Sequence, residues 1–189
     1  LALPVAHITD IHLHPELRGA EGLAACLNHI QSHSQKPEFI LCGGDHIMNS
    51  FVQPHARVQL QWDLWQRVVA AENNLPIHSC LGNQDIFGWN KAQSGTTGNE
   101  PQYGKTWALD VLQLDKPYYS FTSAGWHFIT LDGVQPGDKD GTISSYLDDE
   151  QFDWLSRELA SVPKSTPVLI WSHVPILSVL PLLMAQRET

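Results

Sequence analysis

The sequence predicts an α/β domain built around a largely parallel sheet, and three features carry that expectation. Between Val5 and Leu81, short apolar runs alternate with longer stretches of helical period. The intervening helices are long enough to serve as right-handed crossovers between parallel strands. Finally, 42% apolar and 16% charged residues is the composition of a chain that folds. At about 150 residues per domain, residues 1–189 make a single domain.

The elements follow in order. Residues 5–9 read as a buried strand. Residues 21–31 set Leu23, Cys26, Leu27 and Ile30 on one helical face, and 39–42 form a second short strand. A second helix over 56–71 presents Leu60, Leu64, Trp65 and Val68, and 77–81 is the third strand. From 82 to 116, repeated glycines break any regular period. Phe87, Trp89, Tyr103 and Trp107 make this a long aromatic loop, expected to overhang a site. Residues 118–122 and 126–131 read as a hairpin around Ser-Ala-Gly. Asp148 with Gln151 three residues later is a capping box, opening a helix that turns Phe152, Leu155 and Leu159 inward until Pro163 ends it. Residues 168–171 are the last strand.

Charge removes two partner classes. Eleven Lys+Arg against twenty Asp+Glu give a net charge of −9, with the basic residues scattered singly. There is no footprint for wrapping nucleic acid or for lying on anionic lipid. The longest apolar stretch, 174–184, contains Pro175 and Pro181 and is too short for a membrane span. Cys26, Cys42 and Cys80 sit in apolar runs as small hydrophobes and imply no disulfide framework. The chain begins at Leu1 rather than Met, so the compartment, cytoplasmic or exported after loss of a leader, stays open.

What ends the strands is the informative feature. The first runs into Asp10 and His12, the second through Gly43 and Gly44 into Asp45, the third through Gly82 into Asn83, and the last through Ser172 into His173. In open α/β sheets the carboxyl ends of strands converge on one crevice. Carboxylate, imidazole and amide oxygen suit Mn, Fe or Zn. Asp10 and His12, two apart at a strand end, project to one side. Taken singly, Asp45 and Asn83 after glycine are ordinary turn residues, and His7 and His78 read as core histidines. Four such ends in succession point to a metal site. Asp132, ending the 126–131 strand, reads as structural.

Asp10-Ile11-His12, Gly43-Gly44-Asp45, Gly82-Asn83-Gln84-Asp85 and Ser172-His173 resemble the successive motifs D-x-H, GD, GNH-[DE] and a later H of the calcineurin-like metallophosphoesterases. The resemblance implies a sandwich of two mixed sheets flanked by helices, and two divalent cations. Asp10, His12 and Asp45 would hold one, and Asp45, Asn83 and His173 the other. It implies hydrolysis of a phosphorylated small molecule by a metal-bridging hydroxide, with Asn83, Gln84 and Asp85 as the catalytic group of the third motif.

Two departures matter. Gln84 stands where the family has a histidine credited with protonating the leaving group, and glutamine is no acid; His14 and His46, beside the motifs, are candidate substitutes. The closing G-H-x-H, which supplies two more ligands, has no counterpart, so the chain is expected to lack its C-terminal portion and to bind metal weakly. A non-catalytic binding module on the same fold is the alternative. The G-x-S-x-G elbow, the P-loop and the dinucleotide fingerprint are all absent.

Overall fold

A computed structural model describes residues 3–175 of the chain. The first half runs β1 (Ala6–Ile8), α1 (Gly19–Ser32), β2 (Ile40–Cys42), α2 (His55–Glu72) and β3 (Ile77–Ser79). The three strands pair in parallel in the order β1-β2-β3. Central β2 is buried along its whole length, as an apolar run covered on both faces should be. β1, expected to be buried, lies at the edge: Ala6 and Ile8 pack into the core while His7 is exposed.

Helix rotation departs from the expected stripes in two places. α1 buries Leu23, Leu27 and Ile30, which leaves Cys26 exposed. α2 buries Val58, Gln61, Trp62, Leu64, Trp65 and Val68, turning Leu60 out to 48% exposure. Two tryptophans, each able to bury about 150–250 Å², outweigh one leucine in setting which face turns inward.

The second half adds α3 (Lys91–Ser94), α4 (Thr106–Leu112), β4 (Tyr119–Ser123), β5 (Trp126–Leu131), β6 (Val134–Pro136), β7 (Ile143–Ser145), α5 (Asp149–Ser161) and β8 (Val168–Ser172). The expected loop thus contains two short helices, and the three-residue strands of the β6–β7 ribbon are too short to show as alternation. β4 and β8 flank β5, one antiparallel and one parallel, making a mixed sheet.

The two sheets pack face to face. Phe39, Leu41 and Cys80 meet Phe121, Phe128 and Trp171, with Phe39 edge-on to Phe128 at 5.2 Å and His78 stacked on Phe121 at 3.8 Å. α1 and α2 contribute Leu23, Leu27, Ile30, Trp62 and Trp65 among others to the second core cluster, against Ile40 and Leu81. The expected α/β sandwich flanked by helices is the fold.

α5 is oriented by polar bonds. Asp148 caps it by accepting the N–H of Gln151 at 2.8 Å. The Gln151 side chain does not return to the cap; it accepts the N–H of Asp132 at 2.8 Å and donates to its carbonyl at 2.9 Å. Ser120 donates to Glu158 on the same face. Phe152 and Leu159 are consequently exposed, at 60% and 41%, rather than turned inward. Among the described residues no helix is long and apolar enough to cross a membrane; the apolar segment 174–184 lies, from 176 onward, outside them.

The loops after β2 and β3 are joined by one carboxylate. Asp85 has no exposure. It accepts the N–H groups of Asp45, His46 and Gly82 at 3.0, 2.8 and 2.9 Å and pairs with His46 Nδ1 at 3.0 Å. Burial alone would raise its pKa; His46 and the backbone donors outweigh burial and hold it below the usual carboxylate range. Asp85→Ala leaves those donors and the imidazole without a partner, and is expected to cost about 3–5 kcal/mol in urea unfolding. Asp153→Ala on the exposed side of α5 should stay within about 0.5 kcal/mol.

Candidate metal centre

The loops after β1 and β2 run side by side. Asp10 and His12 donate their backbone N–H to the carbonyls of Gly44 and Asp45 at 3.1 and 2.9 Å, and Leu13 to that of His46 at 3.0 Å. Asp10, His12 and Asp45 all adopt left-handed backbone, with φ of 52°, 48° and 54°. The same-side placement expected from strand alternation is therefore reached by a different route. Each such residue costs roughly 1–2 kcal/mol, and strain of this kind gathers at functional sites.

Two glycines let the β2 and β3 loops touch. Gly44 has φ +92°, and a Cβ there would lie 2.6 Å from the backbone nitrogen of Gly82. A Cβ on Gly82 would collide with the Asp45 carboxylate.

Asp10, His12 and Asp45 each bring one ligand atom into a group whose members all lie within 4.8 Å of one another. His12 Nε2 is 3.7 Å from Asp10 Oδ1 and 3.8 Å from Asp45 Oδ2. Thr9 holds the other Asp10 oxygen with a 2.6 Å hydrogen bond. On the far side, Asp45 Oδ1 lies 3.5 Å from His173 Nε2, which is itself 3.1 Å from Asn83 Oδ1. The Gln84 N–H donates to Asp45 Oδ1 at 2.8 Å. The strand-end residues expected to converge are thus linked through Asp45.

These groups fit a cation. His173 Nδ1 stands 2.8 Å from the carbonyl of Gly43, an acceptor only, so Nδ1 is the donor and the neutral ring leaves a lone pair on Nε2. That lone pair faces an Asp45 oxygen and the side-chain amide of Asn83, and a cation among the three would take up the converging lone pairs. A metal with bonds of about 2.0–2.2 Å keeps its ligand atoms roughly 3–3.5 Å apart, close to the spacing here. Asp45 is 3% exposed, and burial raises its carboxyl pKa against the Gln84 N–H and His173, which lower it. Its charge is thus incompletely compensated by protein alone.

Other candidates lie elsewhere. His46 has no exposure and is held between Asp85 and the Ser79 hydroxyl, at 3.0 and 2.9 Å; it cannot substitute as an acid toward a substrate. His14 is not among the groups whose ligand atoms converge. Asp85, grouped by motif with Asn83 and Gln84, has no exposure and its oxygens face the loop backbone. Asp132 pairs with Lys105 and accepts the Val134 N–H, a structural arrangement. Phe87 and Trp107, expected to overhang the site, are core residues at 0% and 5% exposure, their rings perpendicular at 5.0 Å. Trp89 and Tyr103 remain partly exposed.

Two contributors carried no sequence signal: the Gly43 carbonyl that orients His173 and the Asn49 N–H that meets Gln84 Oε1 at 2.9 Å. Every residue has the carbonyl and every residue but proline the N–H, so no pattern marks them.

The chain is similar to the Arabidopsis thaliana protein named Purple acid phosphatase 15, with 29% identity over 126 residues, 64% of this chain and 21% of that protein. It therefore spans about a fifth of that relative's length. The profile of a family described as Calcineurin-like phosphoesterase matches residues 3–186. With strand-end Asp, His and Asn groups gathered on Asp45 and a match over nearly its whole length, this chain belongs to the calcineurin-like phosphoesterase family.

Proposed function

We propose that the chain forms the metal-binding core of a phosphoesterase that hydrolyses a phosphorylated small molecule, with two divalent cations held on either side of Asp45. The observation that carries this reading is the division of the Asp45 oxygens: Oδ2 faces His12, and Oδ1 faces His173. Asp10, His12 and Asp45 would hold one cation; Asp45, Asn83 and His173 the other, with Mn, Fe or Zn suited to such donors. Cations held by these residues would supply polarisation of phosphoryl oxygens and a nucleophile at neutral pH.

The chain's own residues do the remaining work. Asp45 sets the spacing of the two halves. On this reading the Asn83 amide would contact a phosphoryl oxygen, while Asp85 positions both loops from behind. Gln84 has no proton to lend, so the leaving group departs without an acid from that position. A chain of charge −9 repels a phosphate at long range, and its attraction must be local. The likeness to a protein named as an acid phosphatase supports release of phosphate as the reaction. A non-catalytic metal-binding module is the second reading, favoured by Gln84 alone.

Mn²⁺ supplied at a hundred times its dissociation constant should stabilise the chain by about 2.7 kcal/mol for each site it fills in chemical unfolding, and a chelator should remove that gain. In calorimetry Asp45→Asn should abolish Mn²⁺ binding on both sides at once. A wild-type chain that binds no Mn²⁺ or Zn²⁺ would sink the proposal.

General acid catalysis contributes roughly 10²–10⁴-fold and matters least for a good leaving group. With Mn²⁺ bound, p-nitrophenyl phosphate should be turned over while alkyl phosphates lag by about that factor. Metal binding with no turnover of the aryl ester would favour the non-catalytic module.

A further inference from the structure

Gln84 stands where the family motif carries histidine, and its hydrogen bonds reach beyond its own place. Its Oε1 lies 2.9 Å from the backbone nitrogen of Asn49 and 3.1 Å from Nδ1 of His12. A backbone N–H can only donate, so the side-chain atom that meets it is the carbonyl oxygen, and the orientation of the amide follows. That oxygen offers lone pairs alone, so the ring nitrogen beside it must bring the hydrogen. A neutral imidazole has one such hydrogen. With it on Nδ1, the lone pair is left on Nε2, the atom that faces Asp10 Oδ1 and Asp45 Oδ2 at 3.7 and 3.8 Å.

We infer that Gln84 is a positioning residue: its carboxamide oxygen holds His12 as the Nδ1–H tautomer and presents the Nε2 lone pair, beside Asp10 and Asp45, to a divalent cation. The opposite tautomer would set two lone pairs against each other at 3.1 Å. It would gain in exchange only approaches of 3.7 and 3.8 Å, beyond hydrogen-bond range. His12 needs such an anchor, because its left-handed backbone, φ 48°, sits outside any strand that would orient the ring.

Glutamine suits this task in a way histidine does not. A carbonyl oxygen has two lone pairs and accepts from Asn49 and His12 together, whereas a ring nitrogen has one. The departure from the family motif thus exchanges a proton donor for a double acceptor. The purpose assigned to the tautomer rests on the metal reading of the cluster; the tautomer itself does not.

The test measures the two separately. In metal-free protein labelled with ¹⁵N-histidine at pH 8, long-range ¹H–¹⁵N correlation should show His12 with a pyrrole-type Nδ1 and a pyridine-type Nε2. Gln84→Glu keeps the acceptor and should keep that pattern, with Mn²⁺ affinity near wild type. Gln84→Leu and Gln84→His should lose it, and their calorimetric Mn²⁺ dissociation constants should rise about 10–100-fold, as for other residues that orient a metal ligand. A hydrogen on Nε2 in the wild type overturns the inference, as does Gln84→Leu leaving tautomer and affinity unchanged. If Gln84→Leu fails to fold, the wild-type spectrum and Gln84→Glu still decide. A wild-type chain that bound no Mn²⁺ would count against the phosphoesterase reading, while the metal-free spectrum would still settle the tautomer.

Discussion

The carboxylate of Asp85, buried with no exposure, is the interaction on which the site depends. An isolated charge in such a place is costly; here four backbone N–H groups, of Asp45, His46, Ile47 and Gly82, and the His46 ring surround it. The donors come from the loops after β2 and β3, which also carry Asp45 and Asn83. Neutralising the carboxylate and fixing the spacing of those residues are one act. The glycines at 44 and 82 complete it, since any side chain at either would force the loops apart.

On this base the molecule gathers lone pairs. Asp10, His12 and Asp45 occupy strained left-handed backbone, and the imidazole of His173 is turned by the Gly43 carbonyl so that its free nitrogen faces oxygens. Acceptors that converge without hydrogens between them are unfavourable by themselves. A fold that spends strain to bring them together is organised for something positive to sit there, which matches the family to which the chain belongs.

Gln84 shows how one replacement can alter the division of labour within a motif. Its backbone N–H bonds Asp45 and its side-chain oxygen meets both His12 and Asn49. On the proposed phosphoesterase reading, a residue lost as an acid is gained as a brace, and esters with good leaving groups would be those that need no donated proton.

The sequence by itself determined the class of fold and the chemistry at the strand ends, because apolar alternation reports burial directly and polar groups that follow buried strands have one crevice to enter. β2, β3, β5 and β8 lie where the apolar runs place them, to within a residue or two. Tertiary structure alone decided rotations and partners. Leu60, Phe152 and Leu159 face outward because two tryptophans set the turn of α2 and Gln151 set that of α5, and helical period cannot rank such contacts against one another. His46 and Asp85 read as site residues by position, yet both are enclosed, since burial depends on what the other loop covers. The tautomer of His12 hangs on an amide hydrogen at Asn49, a group every residue but proline possesses and only the fold can place.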